Sequence, residues 1–599
     1  VSVANVTSSD AGIYVGGTAT SVTSTGKIDA SGAAADGVHI ANTGAAAMAV
    51  ANGVSVHNIT ATGYGVNING GVAAGGVAAD GTIASARDGI HVNGAVTGNI
   101  GGSTLVINAG VPAGATADGI NINGSVTGDI TANSIHADND GVSVTGSVTG
   151  DVTIQTINAK TGYGVNITGS AHNITANAVD ADSNGIHVGG NANAISSTGH
   201  ITSANASAVV VNVNLGSFTV SGDITADNGS GIVVDGNLGG AASTHSGHML
   251  VDGYGLYVGG NVTSNVTNSG GIESGSDSIH VVGSNNAALT NSHSILSLAN
   301  GIAVLTNNNG TISNSGADAR ISANDYGIYI GGNATGNVTN DGGITAGANG
   351  IHVVGANSAV ITNSSTGSIA ASGDSVLGGG NGIQVGSNSG TITNSGTIAD
   401  VLYSVGGNGI IVVGANTGTV QQTGNSAEIA AHLSGIVVGG ANSGTVQQTG
   451  GSITGDTGYA IDVASNSGTG KILVTGSSDA TGHVDGIIVR GANAGEVTNT
   501  GYSTLTAETG DGISIGGMNT GTVTNGNGSA IYAAKNGIKV DSNIGAGTIT
   551  NTGLIGSSSK RVGEDGIHVV GDNSGKIDNT FDADISANGR IFATGDGIE

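Results

Sequence analysis

Aspartates recur at one position of a repeated phrase: Asp36, Asp88, Asp118, Asp140, Asp485, Asp511 and Asp565 each stand directly before Gly-Ile or Gly-Val. Asp88, Asp118 and Asp140 fall in consecutive copies. Carboxylates stacked about 5 Å apart repel, and Ca²⁺, which takes oxygen ligands, would relieve that repulsion. The chain has neither the glycine- and aspartate-bearing nonapeptide of calcium-binding β-rolls nor an EF-hand loop. The favoured reading is therefore turn-forming aspartates. Calcium at Asp88, Asp118 and Asp140 is the lesser alternative, and no other cofactor is expected.

Six histidines, His39, His91, His187, His280, His352 and His568, share a second position of the phrase. No two lie in neighbouring copies, and the nearest pair would be about 10 Å apart at strand spacing, too far for shared coordination at ~2 Å bonds. They read as exposed polar residues of a strand. Hydrolysis or elimination on a polysaccharide needs clustered carboxylates with basic partners. The chain has six glutamates and 12 Lys and Arg, thinly spread, and no Ser-His-Asp or nucleophile-elbow arrangement. It reads as a non-enzyme.

What positions these residues is the phrase itself, as in Asp88-Gly-Ile-His-Val92, Asn349-Gly-Ile-His-Val353 and Asp565-Gly-Ile-His-Val569. It occurs 24 times at spacings of 21 to 32 residues, which signals a solenoid or array. Apolar, polar, apolar is the two-residue period of a strand with one buried face. The preceding Asp-Gly or Asn-Gly suits a corner, where glycine accepts φ > 0. A second strand follows, as in Gly418-Thr-Val-Gln-Gln422, and a third precedes the next corner, as in Glu428-Ile-Ala-Ala431. The expected fold is all-β: a single-stranded parallel β-helix of about 24 coils with three short strands each. At ~4.8 Å per coil that is a rod of roughly 115 Å.

From residue 255 onward an Asn or Gln usually lies 13 residues past the phrase glycine: Asn268, Asn291, Asn314, Asn340, Asn363, Gln422, Gln448, Asn499, Asn525 and Asn579, with Asn394 and Asn551 off by one. Stacked amides can bond along the axis, so an inward ladder is expected there. Coils within 1–180 use a shorter phrase, but nothing marks a boundary, and 1–599 reads as one continuous solenoid. Long insertions fall at the third corner: Gly101 to Thr116 with the only proline, Pro112, then Ser364 to Gly380 and Gly556 to Glu564. Such insertions often form the binding face of a repeat array.

A net charge of −28 argues against nucleic acid or an anionic membrane as partner. No apolar run reaches the ~20 residues that insert in a bilayer, and the absence of cysteine rules out disulfides. The outward strand position turns aliphatic at Val210, Val233, Ile411, Val437 and Ile488. Such stripes mark an interface or lie under a loop, and lateral packing on another rod is preferred. Both termini fall inside rung-like sequence without polar caps. Covalent continuation or end-to-end stacking of subunits is the expectation, since open strand edges pair.

The succession of Gly-Ile-X-Val phrases with Thr-Val-Thr-Asn resembles passenger regions of bacterial autotransporters and related giant repetitive adhesins, over nearly the whole chain. The resemblance implies a secreted β-helical stalk on a Gram-negative cell surface, poor in cysteine and without a catalytic centre. The expected function is an extracellular filament or surface stalk formed by axial continuation and self-assembly. The alternatives are an adhesin passenger that binds glycans or other cells through its third-corner loops and, last, a polysaccharide-degrading β-helix.

Overall fold

A computed structural model describes residues 1–42, 48–110, 116–373, 379–399, 405–580 and 589–599. Among them there is no helix, and parallel sheets stack as a β-solenoid of about 22 turns. The 24 phrases slightly exceed the number of turns, and the last copy, although bonded to its neighbour through Ile567 N–H to Gly597 O at 3.1 Å, forms no strand. Val1–Gly283 and Ser284–Glu599 are compact units.

In the first unit the phrase strands pair in strict register, as Val66-Asn67-Ile68 with Ile90-His91-Val92 and that with Ile120-Asn121-Ile122. The flanking aliphatics are buried and stack on their equivalents, so register and core are fixed by the same residues. The second and third faces are built likewise, for example Ile130–Ala137 on Val152–Ala159, where one strand runs around the corner and serves both faces. The corner between the first and second strands is filled by aliphatics: Val72, Val96, Val126 and Val148 bridge in sequence, and Leu215, Leu238 and Val262 do so further on.

The second unit repeats the three faces, as Ile410–Val412 on Ile436–Val438, Thr419–Gln422 on Thr445–Gln448 and Glu428–Ala431 on Ser452–Gly455. Its first corner is mostly asparagine where the first unit has aliphatics: Asn388 bridges Asn416, Asn416 bridges Asn442, and Asn493 bridges Asn519.

The phrase glycine has a different cause from the expected one. None of these glycines has φ in the left-handed region. Gly89 is needed for space: an added Cβ would lie 2.7 Å from the carbonyl oxygen of Gly119 and closer still to Cγ2 of Ile107. The corner backbones touch, because the Ile90 N–H donates to that same Gly119 oxygen at 3.0 Å. Of the exceptions, Ala460 sits in a coil whose third-strand residue is Ala480, in line with Ile453 and Leu505 of the adjacent coils. The volume added at one position is removed at the other. No such exchange accompanies Ala208 or Ser278, which keep Ile224 and Ile295.

Candidate functional site

Residues just before the phrase glycine form an axial chain at the corner. Asp88 Oδ1 accepts the backbone N–H of Asp118 at 2.9 Å, and Asp118 Oδ1 accepts that of Asp140 at 3.0 Å. Asp140 Oδ1 accepts that of Tyr163 at 2.9 Å. Asp485 bonds Asp511 in the same way at 2.7 Å, and Asn349 bonds Asn381 at 2.8 Å. Each side chain thus caps the corner of the next rung, the turn-forming role expected of these residues. Tyrosine has no short acceptor, so runs end at Tyr64 and Tyr163. Their rings lie instead on His91 and His187 of the following rung, with centroids 5.0 and 5.5 Å apart.

The second carboxylate oxygen faces outward along the strand. Nδ1 of His39, His91, His280 and His568 lies 2.6–2.9 Å from the aspartate three residues earlier. These histidines are therefore not freely exposed strand residues: His280 is buried, and the other five of the outward set are half-buried. Asn121 Nδ2 donates to both Asp88 and Asp118, at 3.1 and 2.8 Å. Each pair holds its imidazole ring against the corner of its own rung.

Burial first, then the neighbouring Asp88 charge, pushes the Asp118 carboxyl up to about 6, and burial does the same to Asp485. The folded value lies above the 3.8 of an unperturbed aspartate, so protonation of Asp118 favours the fold. Its stabilisation is fully present below about pH 4 and is lost as pH rises through 6. Asp118→Asn is expected to raise the melting midpoint at pH 7.5 and to flatten its decline between pH 5 and 7. The gain should be about 1–2 kcal/mol, below the full linkage value because the new Nδ2 cannot accept from Asn121, which then keeps only Asp88 as acceptor. Melts across that range check it. A variant that is less stable than the parent at pH 7.5 would refute the charge argument. The Asn349–Asn381–Asn408 run shows that this corner also closes without charge, with Oδ1 of each accepting the next N–H at 2.8 Å.

Among the described residues one group brings three ligand-type atoms within 4.8 Å of one another: Asp565, His568 and Glu599. Its His–carboxylate distances, 2.9 and 2.7 Å, are those of an ion pair. The structure forms no such group from Asp88, Asp118 and Asp140, whose oxygens already accept from the protein.

The second unit carries two amide ladders. The expected one runs Asn291 to Asn314 to Asn340 to Asn363 to Asn394, each Nδ2 donating to the next Oδ1 at 2.8–2.9 Å, all fully buried. It reaches Gln422, whose Oε1 accepts from Asn394 Nδ2 at 3.2 Å. Gln422 Nε2 donates to Ser452 O instead of to Gln448, whose Oε1 is a buried acceptor without a partner, and Val474 fills the next rung. The other ladder, at the first corner, runs from Asn357 through Asn388, Asn416, Asn442, Asn466, Asn493, Asn519 and Asn543 to Asn573 at 2.8–3.0 Å. Sequence reading missed it. Its signal was the recurrent Gly-Ala-Asn ending at Asn357, Asn416, Asn442 and Asn493.

The outward aliphatics are half-buried rather than bare. Val210 lies between His187 and Val233, and Val233 is followed by Tyr257, in the first unit. In the second unit Ile411 and Val437 are adjacent, and Asp462 separates Val437 from Ile488. Burial between these side chains raises the Asp462 carboxyl, and the Arg490 guanidinium paired with it works the other way. Of the long insertions, Gly556 to Glu564 is fully described. Pro112 and residues 374–378 lie outside the described residues.

These features define an all-β parallel β-solenoid, a repeat protein whose polar corners bond rung to rung. No protein-family model matches the chain, and no curated protein or solved structure is significantly similar to it.

Proposed function

We propose that the chain is a non-enzymatic structural β-solenoid: an extracellular filament or bacterial surface stalk, one continuous body of the autotransporter-passenger style, extended by end-to-end and lateral association of copies. The observation that supports this reading is the use made of the polar residues. Buried amides and corner carboxylates that could bind or catalyse, such as Asn388, Asn416, Asp88 and Asp118, are bonded to the equivalent residue one rung on. Such a rung specifies the next rung, and its product is length. Electron micrographs of the purified full chain over rising concentration test it. Particles should join into fibres whose lengths are multiples of the single particle; short single particles at every concentration would sink the proposal. Polysaccharide viscosity should be unchanged on incubation with the protein.

The adhesin reading is favoured by one feature, a cleft beside the fully described third-corner loop.

A further inference from the structure

The third strands Thr504–Ala507 and Ala530–Ala533 lie side by side, with Thr506 opposite Tyr532 and Ala507 opposite Ala533. Ala507, Ala533 and Ala534 leave a shallow floor, and the loop from Gly556 to Gly563 forms a wall beside it. The cleft between them has a volume of about 510 Å³ and is lined also by Thr506, Glu508, Lys560 and Arg561. That volume lies within the range of small-ligand sites.

The loop is held at both ends. Gly556 has φ +68°, which a side chain would strain, and its N–H donates to Ile531 O at 2.8 Å. Ser557 N–H donates to Lys560 O at 2.7 Å while Lys560 N–H donates to Ser557 Oγ at 2.9 Å, closing a turn. Val562 is fully buried and donates its N–H to Phe592 O at 3.0 Å. Lys560 and Arg561 are therefore presented from a fixed backbone. Lys560 Nζ stands 5.1 Å from the centre of the Tyr532 ring, and Arg561 Nη1 donates to Ala593 O at 3.3 Å.

The charge of this cleft runs against that of the chain, which has 40 acidic and 12 basic residues. Lys560 and Arg561 line it, and Lys535 follows its floor residue Ala534. Among the described residues none of the three makes an ion pair. Arg561 offers the planar donor fork that fits a carboxylate. The same cleft is lined by acceptors: Glu508, steadied by His483 Nδ1 at 3.0 Å, and the Thr506 hydroxyl. Glu508 disfavours a phosphate dianion but accepts from hydroxyl groups. Nucleic acid is disfavoured by the net charge.

We propose that this cleft binds an acidic sugar, with the carboxylate of a uronic acid unit on Lys560 and Arg561 and its ring hydroxyls on Glu508 and Thr506. The proposal deepens the adhesin reading by naming its sugar class and is independent of filament formation. The test is calorimetric titration of the full chain with trigalacturonate, with maltotriose as a neutral trisaccharide and with a glutamate hexapeptide. Saturable binding of trigalacturonate alone, weakened by salt, is expected. Arg561→Gln should weaken it about tenfold and Lys560→Gln about threefold. Both side chains are at the surface, so the melting midpoint should hold. Equal binding of maltotriose would overturn the carboxylate assignment while leaving a glycan-binding adhesin in place. Equal binding of the glutamate peptide would overturn the sugar assignment. Wild-type affinity in the double variant, or no binding at all, would overturn the site.

Discussion

Asn416→Leu is expected to lower stability by roughly 3–5 kcal/mol, seen as a fall in the melting midpoint and faster proteolysis around the substituted rung. The side chain is fully buried and bonded on both sides: Asn388 Nδ2 donates to its Oδ1 at 2.8 Å, and its own Nδ2 donates to Asn442 Oδ1 at 2.8 Å. Leucine matches asparagine in branching but is bulkier, so overpacking adds to the loss of bonding. It removes the donor to Asn442 and the acceptor for Asn388, and the Gly418 and Thr445 carbonyls lose a partner at 3.3 and 3.4 Å. Orphaned buried groups cost more than the net worth of the bonds themselves.

That account makes a second claim. Replacing Asn388, Asn416 and Asn442 together by leucine should cost less per residue than Asn416→Leu alone. Interior pairs are then removed with both partners, and only the ladder's cut ends are left unsatisfied. The first unit demonstrates that an aliphatic corner folds, through Val96, Val126 and Val148. Asn416→Asp supplies the contrasting readout. A carboxylate would set an oxygen against Asn442 Oδ1, so its folded pKa must rise and the loss should deepen as pH increases. Equal loss at pH 4 and pH 8 for Asn416→Asp, or a strictly additive triple variant, would refute the ladder as a coupled unit.

What could be read from sequence divides along a physical line. Strand position, register and the three-faced rung were legible because they depend on a period of two with one buried face, and Ile90 and Val92 show it directly. The inward ladder through Asn314 and Asn340 was legible because its offset from the phrase is nearly constant. The ladder through Asn416 was not, because its offset slips between six and seven residues and its flanking residues vary, from Ala415 and Thr417 to Met518 and Thr520. The outward aspartate of the second stripe, Asp462, breaks the pattern and was passed over, although it is the residue that Val437 and Ile488 bury. Contacts between rungs have no sequence separation that a local pattern can reveal. His280, read as exposed, is instead held by Asp277 and stacked on Tyr257 with planes 7° apart. Candidate cleft residues were legible only as an insertion, since Arg561 and Glu508 come to one cleft only when three rungs are stacked.

Gly89→Ala should destabilise the fold by about 1–3 kcal/mol, the usual cost of overpacking, although alanine is the mildest possible substitution. The conventional argument from conformational freedom gives the opposite sign, because φ at Gly89 is outside the left-handed region and alanine would restrict the unfolded chain. Here space decides: the new methyl carbon meets Gly119 O, which is fixed by its bond from Ile90 N–H, and Cγ2 of Ile107, which can be removed. Ile107→Ala alone leaves a cavity and should cost about 2–5 kcal/mol. The double variant recreates the pairing of Ala460 with Ala480, so its cost should fall short of the sum of the two by at least about 1 kcal/mol. A denaturation cycle on the four proteins measures that coupling. Strict additivity would mean that the glycine is kept for the Gly119 carbonyl alone, and a stabilising Gly89→Ala would return the position to backbone entropy.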